Sequence, residues 1–256
     1  MKKNRLIPLL LFRNGYIVQS RCFKHHKIIS KATTTLSRFS SWDADELCLV
    51  NISTDETYHK EFINVTTALS KECKMPLCVG GRIHSARQGL DLINAGADKL
   101  YINSACLYEP SVLTDLSNIL GSQAITASIQ YIVDENKRYI RNKGNTFINL
   151  DFCDYIKSIE SFGAGEISLL CESNDGMSGG YDLEGISIAL NATSLPVIPF
   201  GGGRLKEHFL DAYRLPGIEA LSAGNIFHFK EQSYLHLNRA LRDHGIILRQ
   251  LSITER

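Results

Sequence analysis

RLIPLLLFRNGYIV, Arg5–Val18, sets a basic residue before an apolar run from Leu6 to Phe12, breaks at Arg13-Asn14-Gly15, and then begins a second apolar stretch. A membrane-spanning helix needs about 20 consecutive apolar residues, and this run is far shorter. A secretory signal fits poorly too. Lys2 and Lys3 give a basic start, but Arg13 ends the run early and no small-x-small cleavage site follows. What remains is a buried strand closed by an Asn14-Gly15 turn. No membrane association is expected, and the expected location is the cytoplasm.

Outward from this strand the pattern repeats. Short apolar runs lie at Leu6–Phe12, Glu46–Asn51, Leu77–Val79, Lys99–Asn103, Ala124–Gln130, Glu166–Cys171, Val197–Phe200 and Ala220–Ser222. The segments Thr57–Lys71, Ser85–Ala95, Pro110–Leu120 and Phe147–Phe162 between them carry apolar residues at helical spacing. Alternating strands and helices call for parallel strands with crossover helices. Eight such units in 256 residues predict a (β/α)8 TIM barrel, with a doubly wound open sheet as the competing arrangement.

The chain also resembles itself. VGGRI at Val79–Ile83 returns as FGGGRL at Phe200–Leu205. Gly80 to Gly201, Gly96 to Gly217 and Asn103 to Gly224 are each 121 residues apart. WDADELCLVN from Trp42 resembles FGAGEISLLC from Phe162 at an offset of 120, which aligns Glu46 with Glu166. A period of half the chain is too long for a solenoid. It predicts one domain, residues 1–256, built from half-barrels of about 1–120 and 121–245.

The formal net charge is +1, and no basic cluster is interleaved with aromatic residues, so a nucleic-acid partner is not expected. The seven cysteines, Cys22, Cys48, Cys73, Cys78, Cys106, Cys153 and Cys171, are scattered and form no CxxC pair. That pattern favours reduced thiols over a disulfide framework or a zinc site, so no metal and no cofactor are expected.

In a TIM barrel the site lies at the C-terminal strand ends. Four segments there suit an anion: Gly80-Gly81, Asn103-Ser104, Gly201-Gly202-Gly203 and Ala223-Gly224-Asn225. Glycines let backbone N–H groups approach a ligand. The competing reading is that these glycines only form tight turns. Two pairs at matched offset predict two phosphate sites facing each other across the barrel mouth.

GADKLYINSA (Gly96–Ala105), GAGEISLL (Gly163–Leu170), NDGMSGGYD (Asn174–Asp182), GGGRLKEHFLDA (Gly201–Ala212) and NIFHF (Asn225–Phe229) resemble the cyclase subunit of imidazole glycerol phosphate synthase, over nearly the whole chain. The resemblance implies a histidine-pathway barrel with twofold internal repetition. It implies a separate glutaminase subunit on the N-terminal face, and ammonia passing through the barrel. That ammonia attacks a ribulose-type substrate with a phosphate at each end, with two aspartates as acid and base. It implies a phosphate-binding set of Gly81, Asn103, Ser104, Asp175, Gly176, Gly202, Gly203, Gly224 and Asn225. It also implies that Arg5, Glu46, Lys99 and Glu166, at strand starts, form a charged ring gating ammonia. Two acids and two bases so placed can pair mutually, so the other reading is a salt-bridge layer that closes the barrel bottom.

The departures are concentrated at one rim. Leu11 stands where the family has the first catalytic aspartate, and Gln130, in TASIQYIV, where it has the second. Neither side chain can transfer a proton near neutral pH. Asn51 replaces an aspartate, Gln19 a basic residue, and Arg82 the third glycine of a phosphate loop. No intact catalytic residue is therefore expected. These departures, and the aliphatic start, resemble the branch of cyclase-like proteins associated with acetamidino or acetimidoyl sugars of surface polysaccharide such as O-antigen. There the partners implied are a glutaminase-like subunit and a separate ATP-dependent sugar amidotransferase. A phosphorylated small molecule is a further expected ligand. The alternative function is the cyclase subunit proper of histidine biosynthesis. A third is a non-enzymatic scaffold or sugar-phosphate sensor.

Overall fold

The computed structural model describes residues 3–34, 42–141, 147–148, 150–228, 232–249 and 251. Its strands are β1 (Arg5–Arg13), β2 (Tyr16–Arg21), β3 (His25–Lys31), β4 (Leu47–Asn51), β5 (Leu77–Gly80), β6 (Lys99–Ile102), β7 (Ile125–Asp134), β8 (Lys137–Arg141), β9 (Phe147–Ile148), β10 (Glu166–Cys171), β11 (Val197–Phe200) and β12 (Ala220–Ala223). Eight of them pair in parallel, from β1 through β4, β5, β6, β7, β10, β11 and β12 and back to β1. The sheet closes on itself, with helices between its strands, so the chain is a (β/α)8 TIM barrel.

Alternation along β1 explains why its sequence is apolar throughout. Leu6, Leu10 and Phe12 belong to the layer between strands and helices, while Ile7, Leu9 and Leu11 belong to a second apolar cluster inside the barrel. Successive strand side chains point to opposite faces, and here both faces are buried. Phe12 meets Phe62 of the helix Tyr58–Glu72, ring centroids 5.1 Å apart.

The predicted helices stand at Tyr58–Glu72, Ala86–Asn94 and Ser111–Leu120. The predicted helix over Phe147–Phe162 needs correction. Its helix is Phe152–Ser161, started by Asp151 accepting from the Asp154 N–H at 3.0 Å, while Phe147–Ile148 is strand β9. Asn149, inside that span, lies outside the described residues. Glu46 falls just before β4 rather than within it, and β7 runs four residues past Gln130.

Two hairpins were not foreseen. β1 turns through Asn14 and Gly15 into β2, which pairs with β3. β7 turns through Glu135 and Asn136 into β8, which pairs with β9. Both turns hold positive φ at each central residue, the geometry that matches strand twist in a two-residue hairpin. No helix among the described residues is long and apolar enough to cross a membrane.

Candidate functional site

The N-terminal end of the barrel is closed by the four charged residues. Arg5 Nη1 donates to Glu46 Oε2 at 3.0 Å and to Glu166 Oε1 at 3.1 Å. Lys99 Nζ donates to the same two oxygens at 2.9 Å each. Acids and bases therefore alternate, and every member has two partners. Burial alone would lower Arg5 and Lys99, but the two carboxylates outweigh it and raise both. Glu46 is raised because burial outweighs its two cations. The structure thus joins the four sequence-predicted gate residues in one ring, whatever that ring does.

Above the ring the lumen is narrow and lined with hydroxyls. Tyr101, fully enclosed, accepts from Ser128 Oγ at 2.9 Å and shares a hydrogen bond with Ser168 Oγ at 3.0 Å. Cys48 and Cys78 lie side by side on β4 and β5.

The C-terminal mouth holds two cavities. The larger, about 480 Å³, is floored by Leu9, Leu11, Val50 and Leu170 and rimmed by Asn51, Arg82, Asn103, Ser104 and Gln130. Leu11 and Gln130 both face it, as does Gly81. None of its lining residues is a carboxylic acid. The smaller, about 100 Å³, brings together Gln19, Asp175, Gly176, Gly201–Gly203, Arg204, Gly224 and Asn225. That volume and backbone-rich lining suit one tetrahedral anion. The phosphate-binding residues expected from the sequence thus fall into two groups: Gly81, Asn103 and Ser104 in the larger cavity, the rest in the smaller.

The two cavities are kept apart by aromatic rings. Phe23, at the tip of the β2–β3 hairpin, lines the larger and packs edge-on against Phe200 of the smaller, centroids 6.3 Å apart. Asp175 and Asn225 hold that hairpin rather than point into free space. The Asp175 carboxylate accepts from the Phe23 N–H at 3.3 Å, and burial raises its pKa. The Asn225 amide accepts from the Ser20 N–H at 3.2 Å and donates to the Ser20 carbonyl at 2.6 Å. Two of the loop glycines are required by the backbone itself. A Cβ on Gly81 (φ +90°) would lie 2.1 Å from the Asn51 carbonyl oxygen, and one on Gly202 (φ +99°) 1.9 Å from that of Gly180. Arg82 takes the left-handed conformation at φ 60°, its guanidinium donating to the Ser53 carbonyl at 2.9 Å.

One acid near the mouth escaped the sequence reading. Glu172 accepts from Gln130 Nε2 at 2.9 Å and pairs with Arg141 of β8 at 3.0 Å. The Gln130 oxygen in turn faces Asn103 Nδ2 at 3.4 Å. Glu172 continues the every-second-residue series Glu166, Ser168, Leu170 along β10, which is the signal that could have found it.

Residues 5–233 match the family model for histidine biosynthesis protein. The chain belongs to that family. Its relatives carry consistent names. A protein of Vibrio vulnificus strain YJ016, provisionally named imidazole glycerol phosphate synthase subunit hisF2, is 33% identical over 245 residues, 95% of this chain and 90% of its own length. Imidazole glycerol phosphate synthase subunit HisF of Dictyoglomus thermophilum is 32% identical over 97% of this chain and 99% of its own. The HisF subunit of Hydrogenobaculum sp. strain Y04AAS1 is 31% identical, over 97% and 100%. Histidine biosynthesis proteins are therefore what this barrel is built like from end to end. Among the described residues no group of His, Cys, Asp and Glu is arranged to hold a metal ion.

Proposed function

We propose that the chain is a cyclase-like synthase subunit of a glutamine amidotransferase complex. It receives ammonia from a glutaminase partner on its N-terminal face and conducts it through the barrel. The nitrogen is used outside this chain, for sugar amidation in surface polysaccharide synthesis by an ATP-dependent partner. One observation carries the reading: a fully paired charged ring stands at one end of the barrel, and a mouth cavity walled by Leu11, Gln130 and Asn51, with His84 but no carboxylic acid among its lining residues, stands at the other. Moving ammonia needs a dry passage that keeps it neutral and excludes water. Cyclising a substrate needs positioned acids and bases, each contributing about 10²–10⁴-fold. The aromatic partition also supports the reading, because a ligand with a phosphate in each cavity must pass Phe23 and Phe200. The sugar-amidation role rests on the resemblance of the departures to that branch, and the glutaminase partner on the resemblance and on relatives named as subunits.

A second reading is the cyclase subunit of imidazole glycerol phosphate synthase in histidine biosynthesis. The names of the relatives and the small anion-sized cavity favour it. One assay separates the two. The purified chain is given ammonium and the bis-phosphate ribulose-type substrate, and imidazole product is followed. The proposed function predicts no product above background. Sustained turnover would establish the second reading and show that other groups replace the two aspartates.

A further inference from the structure

Between the charged ring and the mouth lies a third void, of about 10 Å³, lined in part by Glu46, Cys48, Cys78, Thr126, Ser168 and Tyr101. A void of roughly 10–15 Å³ on this measure holds one water-sized molecule, provided polar partners line it. Its exposed wall is instead almost wholly apolar, since the Thr126 and Ser168 hydroxyls and Glu46 Oε2 are taken up by Cys78, Tyr101 and the charged ring, so the void fixes no water and admits an uncharged molecule more readily than an ion. Leu9 and Tyr101 line both this void and the mouth cavity. They come from different sides of the barrel, β1 and β6, and they are the partition between the two spaces.

Tyr101 is held in place by its hydroxyl. Ser128 of β7 donates to it, Ser168 of β10 shares a bond with it, and Asn103 Nδ2 in turn donates to Ser128 Oγ at 3.2 Å. The phenol is neutral, since burial raises its pKa. On the mouth side is the cavity of about 480 Å³, ample for an aromatic ring. Swinging into it breaks two hydrogen bonds, those to Ser128 and Ser168. The ring is thus blocked below and has room above.

We propose that Tyr101 is a latched stopper, and that the apolar void beneath it is a chamber crossed by one neutral ammonia molecule at a time. This rests on the ammonia-conducting function proposed above. Ammonia enters through the charged ring, crosses the apolar void, and leaves when the Tyr101 ring swings toward the mouth. With the ring of charges below and the tyrosine above, bulk water never spans the lumen, so the molecule stays neutral and nucleophilic.

Cys48 and Cys78 allow the stopper to be tested on this chain alone. The reduced full chain is treated with methyl methanethiosulfonate, and each cysteine is followed by peptide mass, with the partly exposed Cys22 as the internal clock. In wild type the two chamber thiols react only as fast as the barrel opens. In Tyr101→Ala their rates should rise at least about tenfold with Cys22 unchanged. Tyr101→Phe keeps the ring and loses both latch bonds, so a rise of at least about tenfold is expected. A thermal melt establishes that each variant is folded. Should Tyr101→Ala unfold, Tyr101→Phe, which removes one oxygen, decides the question. Unchanged rates in the folded variants overturn the stopper.

The chamber's cargo is tested with glutaminase, this chain and the ATP-dependent amidotransferase together, using amide-labelled glutamine. Glutamate formed per labelled nitrogen delivered should be near one in wild type and rise at least about twofold in the faster-reacting variant, because water now reaches the lumen. A ratio unchanged in a variant whose thiols have become reactive places the chamber off the ammonia route and overturns the proposal. If wild type delivers no glutamine nitrogen at all, the ammonia-conducting function falls and the cargo with it, whereas the thiol rates still stand on their own.

Discussion

Asp182 shows how much one carboxylate does in this barrel. Its Oδ1 accepts from the Gly185 N–H at 3.1 Å and starts the helix Leu183–Ala192; the same carboxylate pairs with Arg138 of β8 at 2.7 Å and accepts from the Tyr131 hydroxyl at 3.0 Å. Burial pushes its pKa up, but the Arg138 and Gly185 hydrogen bonds outweigh it and the net shift is downward. A lowered carboxylate stabilises the fold above its unfolded pKa, about 4 for aspartate, and that contribution is lost as the pH falls through the lowered value. Asp182→Asn keeps the cap acceptor and loses the charge. Urea unfolding should show it less stable by about 2 kcal/mol at pH 7, with the gap to wild type closing below about pH 4. A gap that persists undiminished at pH 3 would mean that the charge is not what Asp182 contributes. At this scale the sequence was partly legible. The ring residues could be singled out because the family resemblance implies them, and two acids and two bases at strand starts can pair. Tyr101 could not, since a tyrosine in an apolar run reads as ordinary core, and only the structure shows its hydroxyl latched to Ser128 and Ser168.

At the scale of elements, the hairpins matter most to the mouth. The β2–β3 hairpin is tied down at its tip by Asp175 and Asn225, and it delivers Phe23 to the partition between the cavities. Asn225→Ala removes both bonds to Ser20 and leaves buried backbone groups without partners, at a cost of about 1–3 kcal/mol. The expected result is faster hydrogen exchange confined to amides of β2 and β3, with barrel strands such as β11 unchanged. Exchange that rises evenly through the barrel would show that the hairpin is not a separable unit. The barrel strands were legible because burial on both faces makes them continuous apolar runs. The hairpins were not. Asn14-Gly15 was a visible turn signal but read equally as the end of a strand, and HHKIISK of β3 shows no clean alternation because it pairs only with β2. Glu135-Asn136 takes the same two-residue turn without a glycine to announce it. Phe147 carried a helical pattern backward past Asp151, and the Asp151 cap is what fixes the true start.

Across the whole molecule, side-chain chemistry changes along the barrel axis. At the bottom are four charges in mutual contact; in the middle, hydroxyls, two thiols and a tyrosine; at the top, an apolar-floored cavity beside an anion-sized one. The two hairpins follow β1 and β7, each the first strand of one of the two segments that the internal sequence repeat relates. The order of strands and helices made the barrel readable from sequence. The separation of the mouth into two cavities was not readable, since it depends on where one hairpin tip comes to rest.

Passage of nitrogen through this barrel without contact with bulk water is tested by isotope competition. Glutaminase, this chain and the ATP-dependent amidotransferase are supplied with amide-15N glutamine in the presence of excess unlabelled ammonium, and the isotope in the aminated product is measured. Product nitrogen should come predominantly from glutamine with wild type. It should fall to the bulk isotope proportion with Lys99→Ala, a variant expected to lose about 3 kcal/mol through the ion pairs of Glu46 and Glu166 yet shown folded by its thermal melt. Product carrying the bulk proportion already in wild type, or glutamine nitrogen still favoured in folded Lys99→Ala, would contradict passage through the charged ring.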